Sequence, residues 1–143
     1  MSSVSDFPSR GRVVEVKDDA VVFEPTGTNY RLHLLARDAK YTGPLDLPVE
    51  CVIRVSARKV WTVPSGGAFI APIFGPPRII QGRVKHLNGR EMVVHAGTSI
   101  VVDLPTVESA IDPARGPVVE GALVNVTALP GATFELLEPA VKK

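Results

Sequence analysis

The chain has 143 residues, 45% of them hydrophobic and 22% charged, a balance that supports a packed core and excludes disorder throughout. Lys and Arg number 16 against 15 Asp and Glu, a net charge of +1, which excludes the strongly basic footprint of a nucleic-acid coat and an acidic tail. One cysteine excludes an internal disulfide and a cysteine-based zinc site, and 13 prolines with 12 glycines speak against a helical bundle.

Residues 1–10 read as an N-terminal tail. They lack a basic start followed by an apolar run, so no secretory signal is expected. No stretch reaches the roughly 18 apolar residues that span a bilayer, and a cytoplasmic protein without membrane contact is expected. A valine-rich first strand at residues 12–17 leads through the turn Asp18-Asp19 into a second at 20–24. A third, at 29–35, alternates, with Tyr30, Leu32 and Leu34 on one side and Arg31 and His33 on the other. After a loop at 36–48 come a fourth strand at 49–57 and a fifth at 59–63. Cys51, between Val49, Val52 and Ile53, reads as a small buried hydrophobe.

The same grammar then returns. Strands are expected at 79–87, 91–95, 99–104, 122–129 and 133–137, with one helical turn at 107–111. Asn88-Gly89 is a hairpin signal, because both residues tolerate positive φ; this turn places His86 opposite Glu91 and His95 opposite Gly82. Gly11-Arg12-Val13 matches Gly82-Arg83-Val84, and residues 20–23 match 91–94, both at an offset of 71. Gly27-Thr28 matches Gly97-Thr98, Leu34 matches Leu104 and Val49-Glu50 matches Val119-Glu120, at 70. Residues 55–57 match 126–128 at 71, and Trp61-Thr62-Val63 is set against Phe134-Glu135-Leu136. The series predicts an internal duplication.

Three strands, a loop or short helix, and two more strands in about 65 residues is the layout of a small Greek-key barrel of the OB type. The expected fold is therefore all-β, two tandem duplicated five-stranded OB-like barrels, at residues 11–63 and 78–138. Two SH3-like barrels or a single β-sandwich are the alternatives. Residues 139–143 form a C-terminal tail. Closure of each sheet buries its apolar face and covers its edges.

Residues 64–77 connect the copies. A flexible linker is polar, but this segment carries Phe69, Ile70, Ile73 and Phe74 among prolines. Burial of such side chains is worth about 1.5–3 kcal/mol each, so they must be covered: by the protein itself, as cement between the copies, or by a protein partner or a second copy in an oligomer. These four are the candidate partner-binding residues.

No catalytic chemistry is nominated. There is no Gly-x-Ser-x-Gly elbow, no Walker A loop and no Gly-x-Gly-x-x-Gly after a strand. The three histidines, His33, His86 and His95, are not expected to converge as a metal site needs, and no cofactor is implied; His86 with Glu91 reads as a surface charge pair. The reading is a non-catalytic binding or assembly module. The alternative is single-stranded nucleic-acid binding by an OB-like barrel, through Arg54, Arg58, Lys59 and Trp61, where basic side chains stand beside an aromatic. Against it, aromatics make up only 6% of the chain.

Overall fold

The structure is a computed structural model and describes residues 6–36, 41–106, 110–112 and 116–137. The expected helical turn falls partly on residues 107–109, half of the expected 1–10 tail on 1–5 and the whole 139–143 tail on 138–143, outside the described residues. The fold is all-β, a mixed sheet without an α-helix among those described. The strands are β1 (Ser9–Lys17), β2 (Ala20–Pro25), β3 (Arg31–Ala36), β4 (Val49–Thr62), β5 (Phe69–Ala71), β6 (Phe74–Gly75), β7 (Ile79–Asn88), β8 (Glu91–His95), β9 (Ser99–Asp103), β10 (Ile111–Asp112), β11 (Leu123–Ala128) and β12 (Thr133–Leu136).

The pairings trace two closed circuits. One runs β1–β2–β3–β12–β4 and returns to β1; the other runs β7–β8–β9–β4–β11 and returns to β7. Both contain one parallel contact, β3 with β12 and β9 with β4. Neither circuit is built from one half of the chain. β4 serves the first through Cys51–Arg54, paired with β12, and the second through its later residues, paired with β9 and β11. The separate fifth strand expected at 59–63 is thus the far end of the 14-residue β4. Its partner β12, from the trailing half, lies against β3 in the leading half. β1 also begins earlier than expected, because Ser9 and Arg10 pair with Cys51 and Glu50.

The circuits match in detail. β1 slips register between Val13 and Glu15 against β2, and β7 slips between Val84 and His86 against β8, two bulges 71 residues apart. Each bulge carbonyl finds a donor from a later loop: Asp46 N–H to Val13 O at 2.9 Å, and Gly121 N–H to Val84 O at 2.8 Å. Gly11 pairs with Val49, and Gly82 with Val124. Val49 therefore corresponds to Val124, not to Val119 as the local sequence match suggests. The loops before these strands differ in length, and short valine fragments match by composition alone.

The pairing of β7 with β8 also corrects the hairpin. Asn88 pairs with Glu91, so the two-residue turn is Gly89-Arg90, with Gly89 at φ 62; glycine first is the II′ pattern. His86 then faces Val93 and His95 faces Arg83, and the expected His86–Glu91 pair does not form. His86 instead stacks on Phe7 at 5.2 Å.

One hydrophobic cluster runs through both circuits, from Phe23, Leu32 and Phe134 to Met92, Ile100 and Val124. Tyr30, Leu32 and Leu34 point into it, as the alternation of β3 requires, and Arg31 and His33 point out. Cys51 is fully buried in this cluster, and burial pushes its thiol far above the ordinary cysteine range. Burial thus disfavours its thiolate, the form in which a cysteine reacts.

Candidate binding surface

The connector is ordered by hydrogen bonds to both halves. β5 pairs with β7 and β6 pairs with β3. Arg31 N–H donates to Ile73 O at 2.6 Å and Arg78 N–H to Ala71 O at 2.9 Å. Gly75, at φ 126, takes a backbone conformation that favours glycine. The Ala71–Pro72 bond is cis. The deepest tether is Tyr30: its hydroxyl donates to Ala96 O and accepts from Ile70 N–H, both at 3.1 Å. Tyr30→Phe strands two buried backbone groups, and each costs about 1–3 kcal/mol when unpaired. The expected result is a loss of about 2 kcal/mol in denaturant unfolding, with faster amide exchange at Ile70 and Ala96. An unchanged melt would show that the tether does not hold the connector.

Alternation along β5 divides the four apolar candidates. Ile70 turns inward, 1% exposed, and belongs to the core, so it is no partner contact in the folded chain. Phe69, Ile73 and Phe74 remain exposed, Phe74 at 60%. The connector thus cements the halves with one side chain and offers three to solvent.

Beside it, where Pro76 and Pro77 meet β3 and the Pro130-Gly131 turn, opens a cleft of about 740 Å³. Leu34, Leu35 and Ile79 supply apolar wall; His33, Arg58 and Arg78 are its basic members, and among the described residues no Asp or Glu lines it. Arg78 immediately precedes β7, and only folding brings it beside Arg58. Among the described residues no ion pair engages Arg58 or Arg78. The neighbouring cation Arg31 is already taken, at 2.7 Å from Glu24. Glu24 also accepts from Arg12, and that hydrogen bond, with the field of both guanidinium groups, holds its carboxyl below the usual range.

The four nucleic-acid candidates are not brought together. Arg54 Nη1 donates to Glu91 at 2.8 Å and to Asp103 at 2.6 Å. These carboxylates face each other directly across β8 and β9, and like charges so placed repel unless a cation bridges them. Burial opposes the Arg54 charge, but both carboxylates outweigh it and hold the guanidinium above its ordinary range. Arg58 is the extra residue where β4 slips register, since Ala57 pairs with Ala128 and Lys59 with Thr127; it joins the basic cleft. Lys59 and Trp61 line a different hollow of about 540 Å³, with Asp112. A third cleft, of about 860 Å³, lies between the starts of β1 and β4 and the β8–β9 loop, where Arg10 is neutralised by Glu50 at 2.6 Å. A buried hydrogen bond between the Ser9 and Thr98 hydroxyls ties β1 to that loop.

Among the described residues no three of His, Cys, Asp and Glu converge as metal ligands, and no helix is long and apolar enough to cross a membrane. Comparison with protein-family models, with curated proteins and with solved structures finds no match. The functional reading therefore rests on the geometry.

Proposed function

We propose that the chain is a non-catalytic binding or assembly module, which meets a protein partner or another copy of itself through its connector. The observation that carries this reading is the exposure of Phe69, Ile73 and Phe74 on a segment held in place by backbone hydrogen bonds. A mobile tail can fold its apolar side chains away; a pinned one cannot. Association restores the burial free energy that the isolated chain forgoes.

The scaffold is read as two duplicated OB-like barrels that have exchanged their fifth strands. The support is the matching order of the two circuits, each with one parallel contact, and the two bulges 71 residues apart. Residues 11–63 and 78–138 are then the copies in sequence, and 64–77 the connector between them. A lone buried cysteine suits a reducing, cytoplasmic setting.

The test is the mass in solution. Light scattering on the wild type is expected to give more than one chain at high concentration, and Phe69→Ser with Phe74→Ser to return it to one chain with the melting midpoint nearly unchanged. A second reading keeps nucleic acid: Lys59 and Trp61 share a hollow. A wild type that stays monomeric, and whose Trp61 fluorescence responds to single-stranded oligonucleotide at low salt, moves that reading to first place.

A further inference from the structure

The chain exposes a second apolar segment, remote from the connector in sequence. In the loop before β4, Leu45 and Leu47 are 51% and 57% exposed and flank Asp46. The loop is held in shape. Tyr41 Oη donates to Pro44 O at 2.7 Å, and Asp46 N–H donates to the bulge carbonyl of Val13 at 2.9 Å. Asp46 stands at φ 60, a conformation that Asp tolerates and glycine favours. Its counterpart on the β7 bulge is Gly121, at φ 91. The local geometry thus asks for a glycine, and this loop instead carries a carboxylate between two exposed leucines. Among the described residues no ion pair engages Asp46.

The basic cleft has the complementary chemistry. Among the described residues Arg58 and Arg78 face no acid there, and Leu35 and Ile79 remain exposed in its wall, beside Pro76 and Pro130. An arginine pair with a carboxylate makes a charge-assisted contact, and the leucines bury apolar surface on both sides. No Phe, Tyr or Trp lines the cleft, so unpaired bases find no stacking platform in it.

The geometry points to self-association in which Leu45-Asp46-Leu47 of one copy seats in the Arg58–Arg78 cleft of a second copy. The inference rests on the binding-module reading above and names its partner. Among the described residues none of the loop lines the cleft, so the contact joins two different surfaces of the chain. Made reciprocally it closes a two-fold dimer; made one way, loop on one copy and cleft on the next, it builds rings or open chains.

The experiment is sedimentation velocity over a range of concentrations, with two variants. Arg58→Glu with Arg78→Glu reverses the cleft. Asp46→Gly with Leu47→Ser disables the loop and leaves the fold intact, because glycine suits φ 60. Melting curves check that both variants fold. The wild-type mass is expected to rise with concentration, and each variant to remain one chain at concentrations at least ten-fold higher. An equimolar mixture of the two variants has one intact loop and one intact cleft, so it should form a one-to-one dimer and nothing larger. A wild type that is a single chain throughout overturns the inference, as does a mixture that stays monomeric while the wild type associates. If Phe74→Ser abolishes association and neither variant does, the binding-module reading stands and this contact is wrong. Oligonucleotide binding lost in the cleft variant, without any change in association, reassigns the cleft to nucleic acid.

Discussion

Gly11→Ala and Gly82→Ala will each lower stability by about 3 kcal/mol and the melting midpoint by about 10 °C. The reason is a close approach of backbone, not a turn. A Cβ on Gly11 would sit on the carbonyl oxygen of Glu24, 2.7 Å from Phe23 Cζ and 2.8 Å from Pro25 Cα. A Cβ on Gly82 would sit on the carbonyl oxygen of His95, 2.8 Å from its carbonyl carbon. In both places a methyl group must push two paired strands apart, and a side-chain shift cannot relieve a clash with backbone. Glu24 and His95 are themselves 71 residues apart, so one steric demand is made twice. Gly67→Ala, where nothing lies within 4 Å of the added carbon, is the control and should melt within about 1 °C of the wild type. Circular-dichroism melts of the three variants decide it; an unchanged Gly11→Ala would mean that β1 and β2 are further apart than this packing requires.

Phe134→Ala is expected to cost about 3–5 kcal/mol, the range for deleting a buried aromatic ring. Phe134 lies near the end of the chain, yet its ring packs 5.5 Å from Phe23 and 5.5 Å, edge-on, from Tyr41. Its backbone pairs with Ile53 on one side and Ala36 on the other. Damage from this substitution should therefore appear in the leading half. Amide exchange is expected to quicken at Val21, Phe23, Leu32 and Leu34 as much as around Phe134, and unfolding to remain one transition. Loss of protection confined to residues 123–136 would falsify the pairing of β12 with β3 and β4.

These substitutions differ in how far the sequence announces them. Gly11 and Gly82 open the matched tripeptides Gly-Arg-Val, which already place them at corresponding positions. Phe134 carries no such mark: set against Trp61 by sequence, it occupies a different place in the pairing. Similarly, the connector's apolar content is plain in the sequence, but not that Ile70 alone turns inward. Arg54, Arg58, Lys59 and Trp61 look like one basic stretch, and a single register slip in β4 with two nearby carboxylates disperses them. Asp46 looks like an ordinary loop residue until its φ and its hydrogen bond to the bulge are known.

The amino-acid order by itself determined that this is an all-β chain, where most strands begin and end, and which face of each is apolar. Period-two alternation and turn-forming residues are local properties and can be read along the line. Only the tertiary structure decided which strand lies beside which. Backbone hydrogen bonding is nearly the same for every partner, so a strand edge does not by itself select its neighbour. The choice that sends β12 to β3 and the middle of β4 to β9 is made by packing across the whole core, as Phe134 against Phe23 shows.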